Sequence, residues 1–281
     1  MEEHSDMLKW DGHTHTKFCY HGSSDEQELY LEEAIAQGFE RYTMSEHPPL
    51  PKGWVNDEKL MKELAMPESE LSSYIAYAKE MKARYEGRLE VTIGLELDHL
   101  PGHYGYTRRF VEQWGHELED VVYSVHYLRG AGGMRCIDFT PDDFKEGLLS
   151  FYGTMDGVIN EYFDHVETAI AWAGKLPMRK RIGHLGLIRK FEKELPPINE
   201  ALFRSRMEAL LPILQDAGVG VDVNCAGLRV PTIGTPYVPD WFIAECLKRG
   251  IPCVYGSDSH KPAHVGLGWD WFAAQTSGQW R

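Results

Sequence analysis

The feature that most narrows what this chain can fold into is the way its acids and histidines fall at the ends of its apolar runs. Short β-branched runs alternate with segments of helical period along the sequence. The spacing predicts strands over residues 7–10, 42–44, 89–97, 121–125, 181–185, 219–223 and 252–255. Helical patterns lie between them, over 26–37, 68–86, 104–114, 154–173, 201–217 and 240–248. Gly38, Gly87, Gly218 and Gly250 stand just past four of these, where a left-handed cap favours glycine. Strands separated mostly by helices imply a parallel sheet, because a parallel pair needs a crossover too long for a hairpin.

An open sheet and a closed barrel both satisfy that alternation, and the polar residues at the strand ends choose between them. Reading each run to its C-terminal edge gives Asp11, His13 and His15; Glu46 and His47; Glu96; His126; His184; Asn224; and Asp258 and His260. In a barrel all these ends meet on one face, where barrel enzymes build their sites; in an open sheet the outermost ends lie too far apart. The expected architecture is therefore an α/β barrel of about seven strands, one domain over residues 1–281. The stretch 48–53 and the glycine-rich stretch 129–135 read as loops on the active face. Asp142 and Asp143, after Pro141, read as the start of a helix.

Composition removes several classes of function. At 43% hydrophobic and 26% charged, the chain has ample material for a core. A formal charge of -14 disfavours an extended nucleic-acid groove or an anionic membrane surface as partner. No apolar run is long enough to span a bilayer, and MEEHSDMLKW carries acids where a secretory signal would carry bases, which points to the cytoplasm. The five cysteines are scattered and form no CxxC pair, so neither a disulfide framework nor a thiolate zinc site is expected.

The chain's thirteen histidines carry the chemistry instead. In DGHTH, His13 and His15 are two apart on extended backbone, so both imidazoles can face one cation, with Asp11 placed to orient one of them. The motif recurs in kind as SEH at 45–47, GLE at 94–96, SVH at 124–126, GH at 183–184 and SDSH at 257–260. Imidazole and carboxylate suit zinc, manganese or iron, and a carboxylate, with two oxygens, is the natural bridge between neighbouring cations. Clustered divalent ions activate water and clamp phosphoryl oxygens, so a small phosphate ester is the natural substrate.

The ordered set DGHTH, His21, SEH, GLE, SVH, GH and SDSH resembles the PHP (polymerase and histidinol phosphatase) family from Asp11 to His260. The resemblance implies a distorted seven-stranded (β/α)7 TIM-like barrel with three divalent transition metals at the C-terminal face of its strands. It implies that His13, His15, Glu96 and Asp258 hold the first, that bridging Glu96 joins His126 and His184 on the second, and that His21, His47 and His260 hold the third. GLELDHLPG, DFTPDDF and NCAGLR look like the histidinol-phosphate phosphatase branch. That branch implies hydrolysis of histidinol phosphate by a metal-activated hydroxide; Arg229, His260 and Asp258 are the candidates for catalytic roles, with His260 or a nearby acid as donor to the leaving oxygen, and another small phosphomonoester or a nucleotide is the alternative substrate. An amidohydrolase would normally add a lysine ligand and lack the third trio, and a non-catalytic barrel would not keep the whole ligand set.

Arg229, Arg189 and Lys261 are candidates to receive phosphate. Arg229 is preferred, because a guanidinium fork matches phosphate oxygens and Arg229 follows the sixth run on the active face; Arg189 is second. Asp98 is expected to hold the cationic part of the substrate. His4, His99, His103, His116, His165 and His264 match no motif and read as structural or surface histidines, and Trp269, Trp271 and Phe272 as packing. The stretch 129–135 lacks the Lys-Ser/Thr ending of a P-loop.

Overall fold

The computed structural model describes residues 8–276. Nine strands occur in it: β1 (Trp10–Thr14), β2 (Arg41–Glu46), β3 (Glu90–Asp98), β4 (Asp120–Ser124), β5 (Tyr127–Gly130), β6 (Gly133–Cys136), β7 (Arg179–Ile182), β8 (Gly220–Asn224) and β9 (Cys253–Gly256). Seven form one parallel sheet in the order β1, β2, β3, β4, β7, β8, β9. The sheet curls until its two edges meet. Just beyond β9, the Asp258 N–H donates to His13 O at 2.8 Å and Ser259 O accepts from the His15 N–H at 2.9 Å, which closes the expected seven-stranded TIM-like barrel.

The six expected helices are all present, as Gln27–Ala36, Glu68–Arg84, Tyr104–Trp114, Met155–Ala173, Glu200–Ala217 and Asp240–Lys248. Their apolar stripes make the outer core. In Glu68–Arg84 the buried residues are Leu71, Tyr74, Ile75, Ala78 and Met81, a spacing of three and four that lays one face on the sheet. Each large side chain so covered contributes about 1.5–3 kcal/mol. Gly38, Gly87, Gly218 and Gly250 all take positive φ where their helices end.

Three expectations are corrected. The first strand lies later than 7–10: Met7 is outside the described residues, and the strand takes in DGHT because Asp11 and His13, though polar, are fully buried. The stretch 129–135 is not an open loop but the hairpin of β5 and β6, Gly130 opposite Gly133, with Gly132 and Gly133 at positive φ. The helix Glu58–Leu64, capped by Asp57 accepting from Lys59 N at 2.8 Å and Leu60 N at 3.1 Å, was not expected at all. Thr140 caps the turn Pro141–Asp143, as Asp142 and Asp143 implied. Trp269 packs edge-on against Phe39 and Tyr255, in keeping with the packing role read for it.

The barrel interior also carries a buried ion pair, at the N-terminal end of β4. Arg181 on β7 and Asp120 on β4 are 2% and 0% exposed, with Arg181 Nη1 2.7 and 2.9 Å from the two Asp120 oxygens and Nη2 donating to Gly12 O. Thr43 donates to the same carboxylate at 3.2 Å and receives the Trp10 indole N–H at 2.9 Å. Gly12 has no room for a side chain: a Cβ there would stand 2.6 Å from Val254 Cγ1 and 2.9 Å from Arg181 Nη2.

Candidate metal centre

The strand ends gather nine sequence-selected residues, His13, His15, His21, His47, Glu96, His126, His184, Asp258 and His260, into one cluster. Glu96, at the end of β3 and 1% exposed, is its centre. Its Oε2 lies 3.1 Å from His13 Nε2, 3.4 Å from His47 Nδ1 and 3.5 Å from His15 Nε2. Its Oε1 lies 3.0 Å from His184 Nε2 and 3.4 Å from His126 Nε2, and accepts from Ser124 Oγ at 2.6 Å. One carboxylate thus turns an oxygen to each of two histidine groups. Asp258 Oδ1 stands 3.2 Å from His15 Nε2, and His21 Nε2 stands 3.0 Å from His260 Nε2.

Held nitrogens at the back and open ones at the front show what the cluster can bind. His13 Nδ1 is fixed by Asp222 at 2.8 Å, His15 Nδ1 by Glu46 at 3.1 Å, His126 Nδ1 by Asp98 at 2.6 Å and His21 Nδ1 by Glu63 O at 2.7 Å. An acceptor at Nδ1 takes the ring proton and leaves a lone pair on Nε2. Those Nε2 atoms converge: His126 and His184 face each other at 3.0 Å, while His13 and His15 Nε2 are buried without a hydrogen-bond partner. Inward lone pairs beside ionised carboxylates fit divalent cations. His13, His15 and Asp258, and likewise Glu96, His126 and His184, place their ligand atoms within 4.8 Å of one another.

The carboxylates and imidazoles also shift one another's affinity for protons. Burial pushes the Glu96 and Asp258 carboxyls up, but the surrounding imidazoles outweigh it and hold both well below the usual carboxylate range. Burial opposes protonation of His13, yet Glu96, Asp222 and Asp258 outweigh it and raise His13 well above an ordinary histidine. His47 and His260 go the other way, pushed well down by burial and by neighbouring histidines. Among the described residues, His184 and Asp258 are the non-glycine positions at positive φ (20° and 52°). Such backbone costs about 1–3 kcal/mol each. It is held by the His184 N–H donating to Asp222 at 3.3 Å and by the Asp258 N–H on His13 O.

The cluster forms the floor of a cavity of about 410 Å³. Arg229 reaches its wall, with Nη1 donating to Ser257 O at 2.6 Å and Nη2 to Asp258 O. Lys190 lines it too, held by Asp138 Oδ2 at 2.9 Å, and was missed by sequence reasoning. Arg189, the neighbour chosen instead, turns away to Glu192 at 2.7 Å and Glu200 at 2.7 and 2.9 Å; in a tight turn adjacent side chains diverge, and spacing alone does not say which faces in. Lys261 is exposed and outside the lining.

Two carboxylates also change role. Asp11 orients no imidazole: it accepts from the Ser257 N–H at 3.0 Å across the barrel seam, and burial lifts its carboxyl to about 7. Asp98, expected to face substrate, is buried behind His126. Of the histidines without a motif, His4 lies outside the described residues. His264 lines the cavity against expectation, whereas His99 and His165 pair with each other at 3.2 Å outside it.

The PHP domain matches residues 11–226, and a PHP-associated segment matches 244–278. The chain belongs to the PHP family. The second PHP segment contains β9, Asp258 and His260, so the two matched stretches share one sheet and one cluster. Among PHP relatives, the chain is 35% identical over 266 residues to the histidinol-phosphatase of Bacillus subtilis (strain 168), covering 95% of this chain and 98% of that one. It superposes with a TM-score of 0.89 on a Listeria monocytogenes structure assigned as a histidinol phosphatase, at 33% identity over 94% of this chain and 100% of that one. A histidinol phosphate phosphatase of Lactococcus lactis, crystallised with zinc, L-histidinol and phosphate, shares the fold at a TM-score of 0.70 and 16% identity, covering 96% and 94% of the two chains.

Proposed function

We propose that this PHP protein is a single-domain, cytoplasmic histidinol-phosphatase, hydrolysing L-histidinol phosphate to L-histidinol and inorganic phosphate. The observation that carries the chemistry is the convergence of unpartnered imidazole nitrogens on Glu96 and Asp258 at the floor of a cavity whose wall holds Arg229 and Lys190. The substrate follows from the histidinol-phosphatase relatives that match almost end to end.

Three cations are assigned to the cluster. His13, His15, Glu96 and Asp258 would hold the first; Glu96, His126 and His184 the second; His21, His47 and His260 the third. The donor set accepts zinc, manganese or iron, and zinc in the Lactococcus protein favours zinc. When bound, such cations ease deprotonation of water and neutralise charge on phosphoryl oxygens. The chain's own groups supply the rest. Arg229, its fork fixed by two carbonyls just past β9, orients the phosphoryl oxygens, and Lys190 adds a second positive charge from the neighbouring loop, after β7. Asp222, Glu46 and Asp98 keep three imidazoles turned inward, and the strained backbone at His184 and Asp258 fixes two further donors before substrate arrives.

Phosphate release from histidinol phosphate, nucleoside monophosphates and p-nitrophenyl phosphate, measured beside elemental analysis before and after chelator, tests this reading. Up to three equivalents of metal, loss of activity on their removal and recovery with zinc or manganese are expected. Less than one equivalent without activation by added metal overturns the metal assignment; an equal or better rate on a nucleotide overturns the substrate.

A further inference from the structure

The rim of the cavity is built differently from its floor. Four carboxylates line the cavity: Glu63, Glu96, Asp138 and Asp258. Glu96 and Asp258 face imidazoles, and Asp138 is taken by Lys190. The Glu63 carboxylate is exposed and has no hydrogen-bond or ion-pair partner among the described residues. Its backbone, by contrast, is pinned: Glu63 O accepts from His21 Nδ1 at 2.7 Å, and Leu60 and Leu64 of the same helix pack on the small cluster of Trp54, Val55, Leu100 and Tyr127. An acid on a fixed support, left unpaired at the edge of the imidazole cluster, is placed for a ligand cation.

Phe139 completes the rim. It lines the cavity yet is 44% exposed, so its ring has apolar surface still to cover. The preceding Asp138, clamped by Lys190 through both its carbonyl and its carboxylate at 2.9 Å, fixes where the ring starts. An ester whose phosphorus lies over the floor between Arg229 and Lys190 must send its organic part out toward this rim.

We infer that Glu63 and Phe139 are specificity-determining residues: the Glu63 carboxylate pairs with a cationic nitrogen of the substrate's organic part, and the Phe139 ring packs against its planar or cationic group. This rests on the function proposed above. Phosphate esters with an ammonium or imidazolium are thereby favoured, and neutral esters gain nothing from Glu63.

The test compares kcat and KM for histidinol phosphate and for p-nitrophenyl phosphate in the metal-loaded wild type, Glu63→Gln, Glu63→Lys, Glu63→Asp and Phe139→Ala. Glu63→Gln is expected to raise KM for histidinol phosphate about fivefold to tenfold with a smaller effect on kcat, as a partly desolvated charge-assisted contact is lost. Glu63→Lys should raise it further and Glu63→Asp should restore part of it. The preference for histidinol phosphate over p-nitrophenyl phosphate should fall in the same order, and in Phe139→Ala. A wild type that prefers histidinol phosphate with the preference intact in every variant overturns this inference alone. A wild type with no preference for the cationic ester overturns it together with the substrate reading.

Discussion

Two polar assemblies sit inside this barrel, and they are opposites. The Arg181–Asp120 pair is balanced: one positive charge meets one carboxylate, Gly12 O and Thr43 add to the contact, and Arg181 Nε is the one nitrogen of the guanidinium left without a partner. The Glu96 cluster is open: four of its imidazoles are held from behind, and the inner nitrogens face one another or face carboxylates, with His13 and His15 Nε2 left without a hydrogen bond. Both are buried, so burial does not mark the site. Incompleteness does. A balanced pair holds strands β1, β4 and β7 in register, whereas an open cluster keeps donor atoms for something that binds.

The sharpest way to break that comparison is Glu96→Gln. It removes the charge and one good ligand oxygen at the centre, and kcat/KM is expected to fall by about three decades or more while the fold is kept. His21→Ala, at the exposed edge of the cluster, should be at least about tenfold milder. Near-normal turnover in Glu96→Gln with a dead His21→Ala would move the bridge elsewhere. The mirror experiment is Arg181→Met, which strands the Asp120 carboxylate and should cost about 3–5 kcal/mol in chemical denaturation while surviving folded protein keeps its metal content. A stable Arg181→Met with lost metal would erase the distinction between the two assemblies.

Arg229→Ala tests the wall of the cavity over the open cluster. Loss of a charge-assisted fork on phosphate is worth about 1.5–3 kcal/mol, or one to two decades in kcat/KM, with metal content unchanged and product inhibition by phosphate weakened in parallel. Lysine should rescue in part. Arg189→Ala, whose fork is spent on Glu192 and Glu200, should stay within about twofold of wild type. Full activity and undiminished phosphate inhibition in Arg229→Ala would pass its role to Lys190.

At neutral pH the smallest effect expected is at His99, a buried group belonging to neither assembly, whose contribution grows only in acid. Burial and the adjacent His165 push its imidazole down to about 3, so between pH 6.5 and 3 the unfolded chain binds a proton that the folded chain does not. Stability therefore rises with pH through that window, by up to about 1.4 kcal/mol per unit from this residue. His99→Phe should flatten the acid limb of a plot of unfolding free energy against pH; an unchanged slope would show that His99 takes its proton in the folded state.

Much of this was legible in the sequence, for a physical reason. Strand ends of a barrel converge, so ligand-type residues spaced along the chain at those ends announce both the fold and the cluster, and all nine meet where the spacing places them. The residues that hold them were not legible in that way. Asp222 lies inside a β-run and differs from a solvent-facing acid only through the imidazole it meets from β1. Asp98 stands two residues after Glu96, on the same side of β3, and what turns it from the cavity is its contact with His126 Nδ1, which the alternation of a strand does not reveal. The choice between Arg189 and Lys190 rests on how a single turn rotates. Glu63 and Phe139 sit on loop-borne elements with no periodicity to betray them.

The seam between β1 and β9 also orders events in time. Ser257 and Asp11, joined across it, are 246 residues apart in the chain. During synthesis, seven of the nine clustered side chains are made before Asp258 and His260 exist, and β1 keeps an open edge until the segment that covers it, Ser257 to Ser259, is made. Contacts of such sequence separation form slowly, because a long loop must be closed before they repay its entropy. The nascent chain thus carries most of the cluster's side chains before it can close the barrel, and the last strand is the piece that turns a scattered set of imidazoles into a shaped site.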